Sequence, residues 1–575
     1  MFRFFRRLFL SVVFSIIALV LLIVFVRPNI GPSVSQDSIL YLKVSEELSE
    51  AAGPNFSALL SGEASLSLHE MTSSIRHAAE DERILGLLLD VRADSFSLTQ
   101  VQEIAAAMEV FRGSNKPSWA YLETAGEFSS GTMAYLLALC ADKIMLGPVG
   151  DVNLVNARAE VPFFNETLER LGIEPTFEKR HAYKNMANTF THREFSPEHL
   201  EALKALVNDL QNYIVTRISE RRSKTTEEVN TWFAKGVLTA EEAKNNGLVD
   251  ALGYFDEIYE QLPKPELEDD HWLSAAEYYY ALKSKKDGPR FAFVVADGQI
   301  MRGESVDDPF GGQRTVGSST IGKALRQARK DGVKGVLLRV NSPGGSYLAS
   351  DIIRREIILT RNAGIPVVTS MGGVAASGGY FIAMGSDHIV ASPSTITGSI
   401  GVLAGQFSLR KFLHKWFGIN FDRYESSPES PAATAWLDPP DEGRRNLMKE
   451  SLDRIYQDFV EKAAKDRKKS FEEVHNVAQG RVWTGQQAQS NGLIDSVGDL
   501  RLAVDKLKEL AKVATDVEPI LEYYPAPKSP LEMIAENLPL QSQAPSWSAI
   551  TKMLQNTLRD ANRPKVLLAP TFDIR

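Results

Sequence analysis

Cysteine is almost missing from this chain: Cys140 is the only one in 575 residues. A single thiol forms no internal disulfide and builds no multi-cysteine zinc site. It stands in the apolar run YLLALCADKI and reads as a small buried hydrophobe. Basic clusters are equally scarce. No run of lysine or arginine occurs beyond the first residues, and the formal net charge is −9, so a nucleic-acid partner is not expected. There is no HExxH and no carboxylate–histidine cluster at ligand spacing, so neither a metal site nor another cofactor is expected. Long hydrophobic runs are absent with one exception. Leu8 to Val26 is an uncharged stretch of 19 residues, enough at about 1.5 Å each to cross a hydrocarbon core of roughly 30 Å. Arg3, Arg6 and Arg7 precede it, Arg27-Pro28 follows it, and no small-x-small cleavage signal is present. This predicts an uncleaved signal anchor with the N-terminus in the cytoplasm and the remainder exported.

What is present is a repeat. GVLTAEEAKNNGLVDALG, from Gly236, matches GRVWTGQQAQSNGLIDSVG, from Gly480. ALCADKIMLGPVG, from Ala138, matches AMGSDHIVASPST, from Ala383. RILGLLLDVR matches GVKGVLLRVN, and LGIEPTFEKR parallels FGINFDRYES. The matches keep one order at an offset between 244 and 249 residues, the mark of a tandem duplication. Each half alternates short apolar runs such as GVLLRV, PVVTSM and DHIVAS with helical ones such as GKALRQARKDG. That alternation predicts an α/β fold with mainly parallel strands.

A duplicated pair is its own control. After GVLLRV the second half reads NSPGGS, where adjacent glycines let backbone N–H groups approach a ligand; the first half reads RADSFS. In MGGVAASGGY, Ser377 precedes Gly378-Gly379; the offset of 245 pairs it with Thr132, with Ser129 and Ser130 slightly out of register. STITGSIG, which contains Ser399, faces VGDVNLVN. The asymmetry reverses beyond Gly172 and Gly418. The first half has EKRHAYKNMA with Lys184, the second RYESSPESPAA, and no lysine lies between Lys415 and Lys449. One half offers a serine and donor loops, the other a lysine. A serine–lysine pair is a known variant of nucleophile-plus-base logic, provided that the lysine falls from about 10.4 to roughly 7–8. Ser399 is the candidate to orient the amine.

As a set, RVNSPGGS, MGGVAASGGY, PSTITGSIGV and TGQQAQSNGLID resemble signal peptide peptidase A (protease IV) of the long, duplicated bacterial type. NSPGG alone points only to the wider Clp protease and crotonase superfamily. The resemblance implies tandem Clp protease/crotonase-like domains behind one transmembrane helix. It implies a serine endopeptidase that degrades released signal peptides and other short hydrophobic peptides through an acyl-enzyme. Ser377 is then the nucleophile and Lys184 the general base, with Lys179 the alternative. Ser399, 22 residues after the nucleophile, orients the lysine, and backbone N–H groups near Gly344 or Gly345 and of Gly378 form the oxyanion site. It also implies a homotetramer in the bacterial inner membrane with its catalytic part on the periplasmic side and peptides and lipid as partners. The expected organisation is an anchor over 1–29, a lysine-bearing repeat over 36–262, a linker over 263–290, a serine-bearing repeat over 291–515 and an extension over 516–575.

Three rivals carry less weight. A Ser-His-Asp triad lacks the first glycine of G-x-S-x-G, and His388 and His414 sit in contexts that read as structural or surface. A crotonase-like enzyme acting on acyl-CoA fits the donor loops and not an exported location. A non-catalytic scaffold would not keep PGGS, ASGG and TGSIG intact.

Overall fold

The computed structural model describes residues 34–46, 48–51, 66–93, 96–263, 272–283, 288–306, 314–422, 424, 437–527 and 567–568. The expected anchor lies outside the described residues. Among those that are described, no helix is long and apolar enough to cross a membrane.

Two parallel sheets carry the chain. The first holds β1 (Ser38–Val44), β2 (Ile84–Val91), β3 (Ser118–Leu122), β4 (Lys143–Leu146), β8 (Ala251–Leu252) and β9 (Trp272–Ser274), in the order β8-β4-β3-β2-β1-β9. Outside it lie β5 (Asp151–Asn153), β6 (Glu174–Lys179) and β7 (Val237–Thr239), of which β5 and β7 pair with each other. The second sheet runs through β10 (Arg290–Asp297), β13 (Gly335–Ser342), β15 (Val367–Ala376), β16 (His388–Ala391), β20 (Ser496–Val497) and β21 (Ile520–Tyr523). Its order, β20-β16-β15-β13-β10-β21, repeats the first. β17 (Ile396–Gly398) pairs parallel with the end of β15 and antiparallel with β19 (Val482–Trp483), as β5 pairs with β7.

Strands such as ILGLLLDV in β2 and GVLLRVNS in β13 are buried almost throughout. Parallel strands covered on both faces read as unbroken apolar runs, which is why these segments show no alternation. Helices Leu68–Glu80, Leu98–Gly113 and Thr132–Ala138 pack one face of the first sheet, and the short 3₁₀ turn Phe255–Glu260 meets the other. The edge strands β9 and β21 come from the segment between the halves and from the start of the C-terminal extension. The duplicated unit therefore closes on a strand that sequence matching does not reveal, because WLS and ILEY are too short to carry a pattern.

The halves are joined by a shared ribbon. β6 of the first half pairs antiparallel with β18 (Leu403–Ser408) of the second, from Leu403↔Lys179 to Ser408↔Glu174. Deeper in the seam Arg339, 1% exposed, donates to Glu50 (2.8 Å), to Glu103 (2.8 Å) and to Ser370 (2.7 Å).

Candidate active site

Ser377 stands at the turn between β15 and the helix Gly378–Ala383, with φ 57 and ψ −113. A positive φ on a residue with a side chain costs about 1–3 kcal/mol and is held only by surrounding structure. Here the Ser377 N–H donates to Gly398 O (2.8 Å), tying the turn to β17. The glycines that follow have no alternative. A Cβ on Gly378 would stand 2.7 Å from Ser350 Oγ and 3.0 Å from Gly345 N, and one on Gly379 would stand 2.5 Å from Ser342 O. The small-residue cluster exists so that this turn can press against β13 and the loop behind it.

Lys184 comes from the first half. Its loop leaves β6 at the ribbon, where the Arg180 N–H donates to Val402 O (2.9 Å). The Tyr183 N–H then donates to Gln479 O (3.2 Å). Gly480 lies against the lysine so closely that a Cβ there would meet Lys184 N at 2.6 Å and its Cα and Cβ at 2.7 Å. The Lys184 side chain, fully buried, enters the second half. Its Nζ lies 2.8 Å from Ser377 Oγ, 3.0 Å from Ser399 Oγ and 3.0 Å from Ser399 O. Burial alone pushes the ammonium down to about 7, since the charged form loses its water and meets no carboxylate. Ser377 and Ser399 are as fully buried as the lysine.

Gly344 and Gly345 form β14, which lies parallel to β11 (Gln299–Met301) at Ile300↔Gly345. Both have positive φ, and a Cβ on Gly345 would fall 2.0 Å from Ile300 O, so only glycine fits. The Gly344 N–H donates to Ser342 Oγ (3.2 Å). The other edge of β14 takes an antiparallel strand: β22 (Leu567–Leu568), near the end of the chain, pairs there at Gly344↔Leu568 and Gly345↔Leu567.

The remaining candidates go elsewhere. Lys179 Nζ donates to Asn188 Oδ1 (3.1 Å), not to either serine. His388 pairs through Nε2 with Ser496 Oγ (2.9 Å). Cys140 is buried, and its thiol is raised in pKa to about 12 by burial. No group of three or more His, Cys, Asp or Glu positioned to hold a metal ion occurs among the described residues. Thr132 uses its hydroxyl on the backbone of Val155, donating to the carbonyl (3.0 Å) and accepting from the N–H (2.9 Å). The residue that makes the bond equivalent to that of Ser377 is Gly131, whose N–H donates to Asn153 O (2.9 Å). Sequence matching gave no role to Gly480, because its contact is with the backbone of Lys184 rather than with the reacting groups.

Comparison with known proteins gives the family. Two stretches, residues 110–267 and 360–514, match the model of Peptidase family S49. Lys184 falls in the first of them, Ser377 and Ser399 in the second. The chain is 34% identical over 513 residues to Protease 4 of Salmonella typhi, covering 86% of this chain and 80% of that protein. It is 30% identical over 495 residues to the chloroplastic serine protease SPPA of Arabidopsis thaliana, covering 84% of this chain and 70% of that one. A putative signal peptide peptidase SppA of Enterococcus faecium is 37% identical over 203 residues, 35% of this chain and 57% of the other. With a mixed α/β fold, two matched regions in tandem and relatives along most of its length, this chain belongs to peptidase family S49 and is a serine protease.

Proposed function

We propose that the protease works through a Ser377–Lys184 dyad assembled across its two halves and hydrolyses peptides by way of an acyl-enzyme. The observation that carries this reading is the 2.8 Å approach of Lys184 Nζ to Ser377 Oγ with both groups out of contact with water. An amine near pKa 7 is neutral for about half of the time at neutral pH and can accept the serine proton. Ser399 supplies two oxygens to the same nitrogen and fixes its direction.

The steps follow. Neutral Lys184 takes the hydroxyl proton, Ser377 Oγ attacks the peptide carbonyl, and the amides of Gly345 and Gly378 face the developing oxyanion, with Gly344 closing the loop behind them. Lys184 gives the proton to the leaving amine. Water, activated by the same lysine, then releases the acyl group. The pairing of β22 on Gly344–Gly345 supports binding of substrate as an added antiparallel strand.

Released signal peptides and other short hydrophobic peptides are the proposed substrates. The resemblance of the motifs and the name of the Enterococcus relative support that choice. The apolar run Leu8 to Val26 is proposed as the anchor, which puts the catalytic halves beside the membrane on the exported side; a homotetramer is proposed from the resemblance of the motifs.

The test is chemical. An activated peptide ester or a fluorophosphonate should add its acyl or phosphonyl mass to Ser377 alone. Lys184→Ala should slow that addition by several orders of magnitude. Labelling at another residue, or unchanged labelling without the lysine, would overturn the dyad.

A further inference from the structure

Lys184 lies on a seam, so something must hold the seam shut around it. We propose that Tyr183, Glu201 and Arg481 are positioning residues that clamp the lysine loop to the second half and keep water from the amine. This rests on the dyad reading above. The Tyr183 hydroxyl donates to Glu201 Oε2 (2.9 Å), and Arg481 Nη1 donates to Glu201 Oε1 (2.5 Å). The Arg481 guanidinium lies 5.0 Å from the centre of the Tyr183 ring and 4.5 Å from that of Trp483. Three separate segments meet there: the lysine loop, the helix Pro197–Arg222 of the first half, and the strand leading into β19 of the second.

The cycle sits over the backbone stack that carries the chemistry. Ser399 N–H donates to Arg481 O (2.7 Å), Gly480 N–H to Ile400 O (2.7 Å), and Tyr183 N–H to Gln479 O (3.2 Å). Arg481 thus touches both the residue beside the lysine and, through its backbone, the serine that orients the amine. In the first half Leu154 N–H donates to Gly236 O (2.9 Å) in the equivalent bond, so a glycine stands where the second half has Arg481. The arginine occurs only in the half that receives the lysine. An ion pair to a carboxylate that is 54% exposed adds little to stability. Its effect therefore falls on geometry rather than on the fold.

Other charged groups face the same loop. Arg180 donates to Asp453 (3.0 Å), and the His181 ring lies 4.2 Å from Tyr456 and 5.0 Å from His475. None of them shifts Lys184, whose lowered basicity comes from burial alone. Opening the clamp admits water, raises the lysine toward its ordinary value, and moves the pH at which it becomes a base upward.

The experiment measures kcat and KM on a fluorogenic peptide between pH 6 and 10, using the full chain. For Arg481→Gln the expected result is a fall in kcat of about 30-fold at pH 7 with KM within about twofold. The rise of kcat with pH should move up by about one unit or more, so that at pH 9.5 the variant recovers to within roughly threefold of the parent. Tyr183→Phe, which keeps the ring and loses the hydroxyl, should shift the profile the same way by less. Arg481→Lys should fall between the parent and Arg481→Gln, because an ammonium keeps the charge and not the stacking plane. A loss equal at every pH, or no loss, overturns the clamp, since misfolding or removal of a distant contact does not move the midpoint. Lys184→Ala run alongside separates the two ideas. If it stays active, the dyad fails. If it is inactive while the Arg481→Gln profile is unmoved, only the clamp fails.

Discussion

The two halves of this chain share a strand order and differ almost entirely at one end of their sheets. Both run β-strands in the same sequence, with corresponding partners for the short β5–β7 and β17–β19 pairs. Both have a tyrosine in the helix after the third long strand that donates to a backbone carbonyl, Tyr135 to Leu248 O and Tyr380 to Leu493 O (2.8 and 2.9 Å). At the turn before that helix, the second half has Ser377 and the first has Gly131, whose own Cβ would fall 1.9 Å from Ala125 O. There is no room at that point of the first half for a side chain of any kind. Conversely, it is the first half that sends Lys184 to the serine of the second. A duplicated scaffold tolerates this because loops at strand ends carry the chemistry while the strands carry the fold.

That comparison breaks most sharply at the two turns. Ser377→Ala should lower turnover by about four orders of magnitude or more, whereas Thr132→Ala should leave it unchanged and cost about 1 kcal/mol through the Val155 backbone. Equal effects of the two changes on peptide hydrolysis would end the assignment of roles to halves.

The next contrast uses two left-handed glycines. Gly480→Ala would drive a methyl into the Lys184 backbone and should cost about 100-fold in kcat, the size expected when a catalytic group is displaced by about 1 Å. At Gly236, φ 82, nothing stands within 4 Å of the added carbon. Gly236→Ala should therefore cost about 1–3 kcal/mol of stability, read from denaturant unfolding, and leave kcat alone.

The smallest effect is on the pH dependence of folding. Lys184 has a lowered pKa, so between about 7 and 10.5 the unfolded chain binds a proton that the folded chain does not. Stability of the parent therefore climbs with pH through that window and levels off on either side. Lys184→Met has no such slope. It should be more stable than the parent by on the order of a few kcal/mol at pH 7 and below, with the difference closing toward pH 10.5. Parallel stability–pH curves for the two proteins would show that the amine is not buried neutral.

Much of this was legible in the sequence, and for a physical reason. Fully buried strands such as GVLLRV and glycines in forced conformations leave few residue choices, so the repeat and the NSPGGS and ASGGY loops stood out. Lys184 was singled out in two ways, as the lysine one half had and the other lacked, and as the base that the resemblance implies. Edge strands β9 and β21 were read as linker and extension, because a few half-buried residues hydrogen-bonded along one side impose no pattern. Thr132 was matched to Ser377 by a constant offset, and the first helix begins one residue earlier relative to its tyrosine, which puts Gly131 at the turn. Gly480 and Arg481 escaped for a related reason: matching glycine to glycine sets Gly236 against Gly480, whereas the backbone sets it against Arg481.

The ribbon of β6 and β18 makes the basicity of one amine a property that neither copy owns. On the proposed dyad, mutational drift in either copy that lets solvent leak between them would silence the enzyme while both cores stayed folded. Selection on activity therefore acts on the fit between two gene segments that share an ancestor, and it forbids them from ever again evolving independently.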